Sequence, residues 1–191
     1  MTASSNISAV FAFGDSTIDS GNNNHLNSLF CCDHLPYGRD LPSHVPTGRF
    51  SNEKLSADFL VNRLGIKDLL PAFLEPKLTD HDLLTGVCFA SGGSGLDNQT
   101  IDLPTQFQSF EQALKRISKL VGDEKARLTV ENALFVISIE TNDMLYTACF
   151  LPTRVIELTM SGYRDFLLHN LESFVKARAY VKLDFLQLKI S

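Results

Sequence analysis

The chain has 191 residues, of which 44% are apolar and 20% are charged, and its formal net charge is −5. A single domain of this length can bury a substantial core. The mild negative charge gives no basic face for nucleic acid, and no apolar run is long enough to span a bilayer. We therefore expect a globular domain with neither a nucleic-acid partner nor a membrane span.

The N-terminal residues and the cysteines bear on compartment and cofactors. Residues 1–10, MTASSNISAV, lack the basic and apolar regions of a signal peptide, which predicts a cytoplasmic chain as the sequence is printed. Cys31 and Cys32 are adjacent, and no group of histidines and cysteines has the spacing of a zinc site. The pair is interpreted as two ordinary thiols or as halves of two disulfides, and we expect no metal and no cofactor.

The first predicted element is a strand over residues 7–13, which are almost continuously apolar. Such a run suits a strand that is buried on both faces, as in a parallel sheet covered by helices. A loop rich in Gly, Asn, Pro and His follows over residues 15–49. Loops of that length are usually functional or disordered. Apolar residues at helical spacing then predict a helix over residues 53–64, with Asn52 as its N-cap.

Strands and helices alternate along the rest of the chain. Residues 85–95, TGVCFASGGSG, predict a short strand that runs into a glycine-rich turn. An amphipathic helix is predicted over residues 103–121, followed by a second apolar strand over 133–140 and another helix over 154–179. The last residues, 180–191, partly alternate and predict one more strand.

This order of elements predicts a parallel sheet built from βαβ units. In such sheets, sites form in the crevice beyond the carboxyl ends of the strands. Three predicted loops begin at strand ends, at residues 14–16, 91–93 and 141–143. If their strands are neighbours, these loops converge at one edge of the sheet.

The three loops carry residues suited to acyl transfer. Ser16 directly follows Gly14-Asp15 at the end of a buried strand, where a hydroxyl can act as a nucleophile if a base activates it. Donors aimed at a developing oxyanion are also needed. The Gly93 N–H can approach a substrate closely because glycine has no Cβ, and the Asn142 amide donates two hydrogens.

Other interpretations of the same residues stay open at this point. Asp15 and Asp19 could bind a cation, although two acids four apart in a loop are more often turn formers. The glycines of residues 92–95 could cradle a phosphate, although they match no phosphate-binding motif. Asn142 and Asp143 could form an ordinary strand-to-helix turn.

Four sequence blocks together carry a resemblance to a known family. They are FGDSTIDSGNNN (13–24), PYGRDLPSHVPTGRFSN (36–52), TGVCFASGGSGLD (85–97) and VISIETNDM (136–144). In order and approximate spacing, the chain resembles the plant GDSL esterase/lipases of the SGNH hydrolase superfamily over about residues 8–175.

The resemblance implies an α/β fold with three α/β/α layers, flavodoxin-like, around a parallel sheet, and hydrolysis of carboxylic or lipid esters through a serine acyl-enzyme. By position, Ser16 matches the nucleophile. The N–H groups of Ser16 and Gly93 and the amide of Asn142 match the oxyanion hole. The family is mostly secreted, which leaves the compartment open.

The chain departs from the family pattern in several places. The family has its acid and base in an Asp-x-x-His motif near the C-terminus, and no such motif occurs here. Glu140 stands where the family has a glycine, and Cys88 where it has an asparagine. The pattern is also lost near Ala177. We therefore expect residues 1–191 to form a single domain that is incomplete at its C-terminus.

Three hypotheses follow for function. The first is an ester hydrolase with impaired or no activity, in which no histidine reaches Ser16. The second is a non-catalytic protein that binds esters in the same cleft, and the third is a truncated isoform without function. An incomplete sheet would also leave an open edge, through which we expect self-association.

Overall fold

The protein is described by a computed structural model over residues 7–28, 30–97, 101–139, 141–145 and 153–187. Its strands there are β1 (Ala9–Gly14), β2 (Ser94–Gly95), β3 (Ile101–Asp102) and β4 (Ala133–Ser138). Its α-helices are α1 (Ser56–Arg63), α2 (Asp80–Thr85), α3 (Leu103–Val121), α4 (Asp123–Glu131) and α5 (Thr153–Gln187). None of the helices in these residues is long and apolar enough to cross a membrane.

The central strand of the main sheet is β1. It pairs in parallel with β4, in a register that runs from Ala9 opposite Ala133 to Gly14 opposite Ser138. On its other side, β1 forms a parallel bridge from Ala12 to Cys88, and Cys88 forms a further parallel bridge to Ala72. The predicted strand in residues 85–95 is therefore present as an extended segment beside β1. All three predicted strand ends lie at the same edge of the sheet.

Side chains of β1 alternate between two cores. Ala9, Phe11 and Phe13 face a cluster that α2, α3 and α4 also line. Val10 and Ala12 face a second cluster that α1 lines. Every residue of β1 is buried, as its continuous apolar sequence predicts for a strand covered on both faces. The fold is α/β, with helices on both sides of a parallel sheet.

The amphipathic helix over residues 103–121 is confirmed as α3. Phe110, Leu114 and Ile117 from its apolar stripe are buried in the first core. The predicted helix over residues 53–64 is confirmed, but it begins later, at Ser56. Asn52 is not its N-cap. The N-cap is Leu55, whose N–H donates to the Asp58 carboxylate at 2.9 Å. The side chain of the third helical residue therefore satisfies a backbone N–H that the helix itself leaves without a partner.

The C-terminal prediction is wrong in part. A strand was expected over residues 180–191, but α5 continues as helix through Gln187. No glycine or proline follows Gly162 in the sequence, so nothing in the chain stops the helix. The break in α5 lies at Thr159, which has a positive φ of 64°. The predicted helix start near residue 154 is confirmed.

Strand β4 differs from β1 in its burial. All six of its residues are half-buried, although their apolar sequence predicts burial on both faces. Among the described residues, β4 pairs with β1 only and forms the edge of the main sheet. The carboxyl end of β4, which leads to residues 141–145, lies beside the carboxyl end of β1.

Candidate active site

Ser16 lies in a turn just beyond the end of β1. The preceding residue, Asp15, is fully buried, whereas Ser16 is half-exposed. Oδ1 of Asp15 accepts hydrogen bonds from the Thr17 N–H at 2.9 Å and from its hydroxyl at 2.6 Å. The Ile18 N–H donates to the Asp15 carbonyl at 3.2 Å. Asp15 therefore shapes the turn that presents the Ser16 side chain at the surface of the sheet edge.

Gly14 allows the end of β1 to approach β4 closely. Its φ is +149°, and a Cβ at this position would lie 1.8 Å from the Ser138 carbonyl oxygen. The neighbouring Asp15 N–H donates to that same oxygen at 3.0 Å. Because any side chain at residue 14 would push these strands apart, glycine is required immediately before the Asp-Ser pair.

The glycine-rich turn lies directly beside the Ser16 turn. The Ser91 N–H donates to the Gly14 carbonyl at 3.0 Å. Asn23, from the loop after β1, donates from Nδ2 to the Gly92 carbonyl at 2.9 Å and accepts from the Ser91 hydroxyl at 2.5 Å. Gly93 follows with a φ of 91°, a conformation that side chains disfavour. The first two predicted loops are thus hydrogen-bonded to one another.

The third loop is joined to the same turn. The Asn142 amide donates from Nδ2 to the Ser94 carbonyl at 2.8 Å. Asp143 accepts from the N–H groups of Leu96 and Asp97 at 2.7 and 2.8 Å. An asparagine amide has two hydrogens, so the bond to Ser94 leaves one for a ligand. Glu140, the departure noted in this block, lies outside the described residues.

Sequence reasoning missed Gln106, which links the strand end to the glycine-rich turn. Its side chain accepts from the Gly14 N–H at 2.9 Å, and donates to the Gly14 carbonyl at 2.7 Å and to the Ser94 hydroxyl at 3.0 Å. Gln106 stands four residues before Phe110, on the buried face of α3. A buried polar side chain needs hydrogen-bond partners, so a glutamine on the apolar face of a predicted helix is a sequence feature that could have identified Gln106.

Buried carboxylates at this edge are held by N–H groups. Both oxygens of Asp19 accept backbone N–H groups, Oδ1 from Gly21 and Asn22 and Oδ2 from Gly92. Burial raises the pKa of Asp19 to about 6, against the lowering effect of these hydrogen bonds. The described residues contain no group of three or more metal-ligating side chains. These contacts favour the interpretation of Asp19 as a turn former.

Cys88, the other departure from the family pattern, lies under the site. It is fully buried, and its thiol donates to the Ile18 carbonyl at 3.2 Å. Burial raises the pKa of Cys88 to about 12. The thiol is therefore protonated at neutral pH and is not a competing nucleophile. Cys31, Cys32 and Cys88 are all free thiols.

The five histidines lie elsewhere in the described structure. His25 approaches Glu75, with 3.7 Å between Nε2 and Oε2. His34 and His44 each hydrogen-bond through Nδ1 to a backbone carbonyl, and His81 and His169 are exposed on helices. Among the described contacts, no histidine is hydrogen-bonded to Ser16.

Comparison with known proteins agrees with the sequence blocks. The family model for GDSL-like lipase/acylhydrolase matches residues 10–181. A GDSL esterase/lipase from Arabidopsis thaliana is 47% identical over 176 residues, which are 89% of this chain and 48% of that protein. A second from the same plant is 44% identical over 174 residues, or 88% of this chain and 48% of the relative.

The chain thus spans about half the length of the relatives it matches. No solved structure shows a significant match to it. The family model covers most of the chain. The relatives are more than two-fifths identical to it over nearly its whole length, and they point to the same family. On this basis the chain belongs to the GDSL-like lipase/acylhydrolase family.

Proposed function

We propose that this chain carries the nucleophile and oxyanion-hole half of a serine ester hydrolase. Ser16 is the nucleophile, and the N–H groups of Ser16 and Gly93 with the amide of Asn142 are the oxyanion donors. The observation that carries the proposal is the hydrogen bonding of three loops at one sheet edge: Ser91 to Gly14, and Asn142 to Ser94. Family membership supplies the reaction class, the hydrolysis of carboxylic esters.

The chemistry follows from these positions. The Ser16 hydroxyl attacks the ester carbonyl, and a base takes its proton as the carbonyl oxygen becomes an oxyanion. Gly93 and Asn142 donate hydrogen bonds to that oxyanion, and loss of one such donor typically slows acylation by about 10²–10³-fold. Collapse of the intermediate expels the alcohol and leaves the acyl group on Ser16, from which water releases it.

The chain as printed is expected to turn over esters slowly, because no described histidine is hydrogen-bonded to Ser16. Serine hydrolase sites that lack the base keep about 10³–10⁴-fold acceleration over water from binding and the oxyanion hole. Hydrolysis of a short p-nitrophenyl ester should therefore be barely faster than that of Ser16→Ala. Added imidazole should accelerate the wild-type chain more than this variant, because it supplies the absent base.

A fluorophosphonate probe tests the nucleophile directly. Labelling should be slow in the chain alone and faster with added imidazole, and mass spectrometry should find one adduct, on Ser16, which Ser16→Ala abolishes and Asn142→Ala slows. Ser161→Ala, at an exposed serine on α5, is the matched control and should label like the wild type. An adduct on a different residue would contradict the assignment of Ser16 as the nucleophile. A fast ester hydrolysis that vanishes when one histidine is replaced would contradict the expected slow turnover.

A further inference from the structure

The buried carboxylate of Asp19 lies between the Ser16 loop and the glycine-rich turn. Its Oδ1 accepts from the Gly21 and Asn22 N–H groups, both at 2.8 Å, and its Oδ2 accepts from the Gly92 N–H at 3.0 Å. We propose that Asp19 is a positioning residue that holds the Gly93 N–H in place relative to Ser16. This inference rests on the proposed function, because it concerns the oxyanion donor assigned there.

Side chains from the Ser16 loop hold the segment that leads into the glycine-rich turn. Beyond β1 the backbone of residues 15–23 does not continue as a strand, so side chains take over the contacts with residues 88–92. The Asn22 amide donates to the carbonyls of Cys88 and Ala90 at 2.9 and 2.8 Å. The side chain of Asn23 bonds the next residues of the same segment. These bonds hold the start of the glycine-rich turn.

Asp19 holds the N–H of Gly92, one peptide unit before the N–H of Gly93, while Asn23 holds the Gly92 carbonyl. The Phe50 ring packs closely against Gly92, since a Cβ added there would lie 2.3 Å from the ring. Gly92 is thus held by a hydrogen bond from its N–H to Asp19 and by packing against Phe50. The peptide unit that follows Gly92 carries the N–H of Gly93, so a change at the Asp19 contact shifts this donor.

The charge of Asp19 determines how well it accepts these hydrogen bonds. An ionised carboxylate accepts only, whereas a protonated one carries a hydrogen that would face an N–H group. Burial raises the pKa of Asp19 to about 6, so its ionisation changes within the neutral range. As the pH falls below about 6, protonation removes an acceptor, and the contact between Asp19 and Gly92 weakens.

The charge of Asp19 reaches two buried thiols, those of Cys32 and Cys88. Burial raises the pKa of both thiols, and the nearby charge of Asp19 raises it further, so both thiols stay protonated near pH 6. The Arg49 guanidinium donates to the Ser20 carbonyl at 3.4 Å and is paired with Asp58. Asp19 is therefore the group at this contact whose charge changes near pH 6.

Nuclear magnetic resonance of the full ¹⁵N-labelled chain tests the inference without any need for activity. The Gly92 and Gly93 amide signals should shift with pH around a midpoint of about 6. In Asp19→Asn this titration should disappear, because the side chain cannot ionise. Asp82→Asn is the matched control: Asp82 also accepts a backbone N–H, that of Thr79 at 3.1 Å, but lies on α2 and should leave both glycine signals unchanged.

A kinetic readout separates positioning from a merely structural role. With imidazole added, phosphonylation of Ser16 by the fluorophosphonate, in which the serine oxygen displaces fluoride, should be about tenfold slower in Asp19→Asn than in the wild type at pH 7.5. This is less than the roughly 10²–10³-fold loss of a whole donor. The amide titration in the wild type decides the case if Asp19→Asn fails to fold. Glycine signals that do not titrate near pH 6, or that respond equally to Asp82→Asn, would overturn the inference. Absence of any Ser16 adduct in the wild type, even with imidazole added, would instead overturn the proposed function.

Discussion

At the scale of single residues, Gly14 is the position where the backbone leaves least room. The Ser138 carbonyl lies where a Cβ would stand, and the φ of +149° disfavours any L side chain. We expect Gly14→Ala to destabilise the fold by about 4 kcal/mol or more, which is the range of severe single substitutions. Urea denaturation followed by circular dichroism measures this loss.

Gly65 provides the matched control for this substitution. It also has a positive φ, of +70°, but nothing lies within 4 Å of the position of its Cβ. Gly65→Ala should cost only about 1–2 kcal/mol, the penalty for the left-handed conformation alone. Equal losses in the two variants would show that backbone conformation, and not the contact with Ser138, makes Gly14 necessary.

Some residues of the candidate site can be proposed from the sequence, whereas others are recognised only from their contacts in the folded structure. Ser16, Gly93 and Asn142 could be proposed from sequence because strand ends, glycines and amides have recognisable patterns, and because the blocks resemble a family. For Gln106 the sequence shows a polar residue on an apolar helix face, which predicts that it has partners but not which ones, and for Asp19 it shows only an acid in a loop. Their contacts with Gly14 and Gly92 join residues that are far apart in the chain, and only the folded structure brings those residues together.

At the scale of elements, the long loop after β1 is attached to α1 by one buried ion pair. Arg49 donates to both oxygens of Asp58, from Nε at 2.9 Å and from an Nη at 3.1 Å, and it also donates to the Leu70 carbonyl. Asp58 in turn accepts the N–H groups of Leu55 and Leu70. The pair therefore connects the end of the loop, the start of α1 and the segment that leads to the second core.

Removal of the arginine should be strongly destabilising. Arg49→Met would leave the Asp58 carboxylate buried without its countercharge, and such losses typically cost about 3–5 kcal/mol. The exposed pair of Arg164 and Asp165 on α5 provides the control, because Arg164→Met should change stability by less than about 1 kcal/mol. Chemical denaturation of both variants measures the difference, and similar midpoints would contradict the structural role assigned to the buried pair.

The existence of a strand or helix with a regular apolar pattern is easier to predict from the sequence than the residues at which it begins and ends. The apolar runs predict the strands β1 and β4, and the apolar stripe predicts the helix α3. The structure contains all three elements. The start of α1 differs because a side chain inside the helix, Asp58, satisfies the first free N–H. The end of α5 differs because a short alternating sequence without glycine or proline is also compatible with a helix.

At the scale of the whole molecule, the described structure exposes apolar surface on the side of β4. All six residues of β4 are half-buried, and the edge of the sheet has no partner strand among the described residues. Large apolar side chains are also exposed on α5, including Ile156 at 77% and Leu168 at 55%. An unpaired strand edge and exposed apolar side chains each favour association with another chain.

We therefore expect the chain to bind the dye ANS and to self-associate as its concentration rises. Sedimentation velocity should show a weight-average mass that increases with concentration, and ANS emission should fall as larger species bury the exposed surface. The double variant Ile156→Lys and Leu168→Lys should reduce dye binding, because it removes apolar side chains that are exposed on α5. If association instead proceeds through the edge of β4, this variant should still self-associate, since the backbone of that strand is unchanged. A monomer at all concentrations, with no ANS binding and a sharp two-state melt above about 60 °C, would show that β4 and α5 together form a surface stable in water.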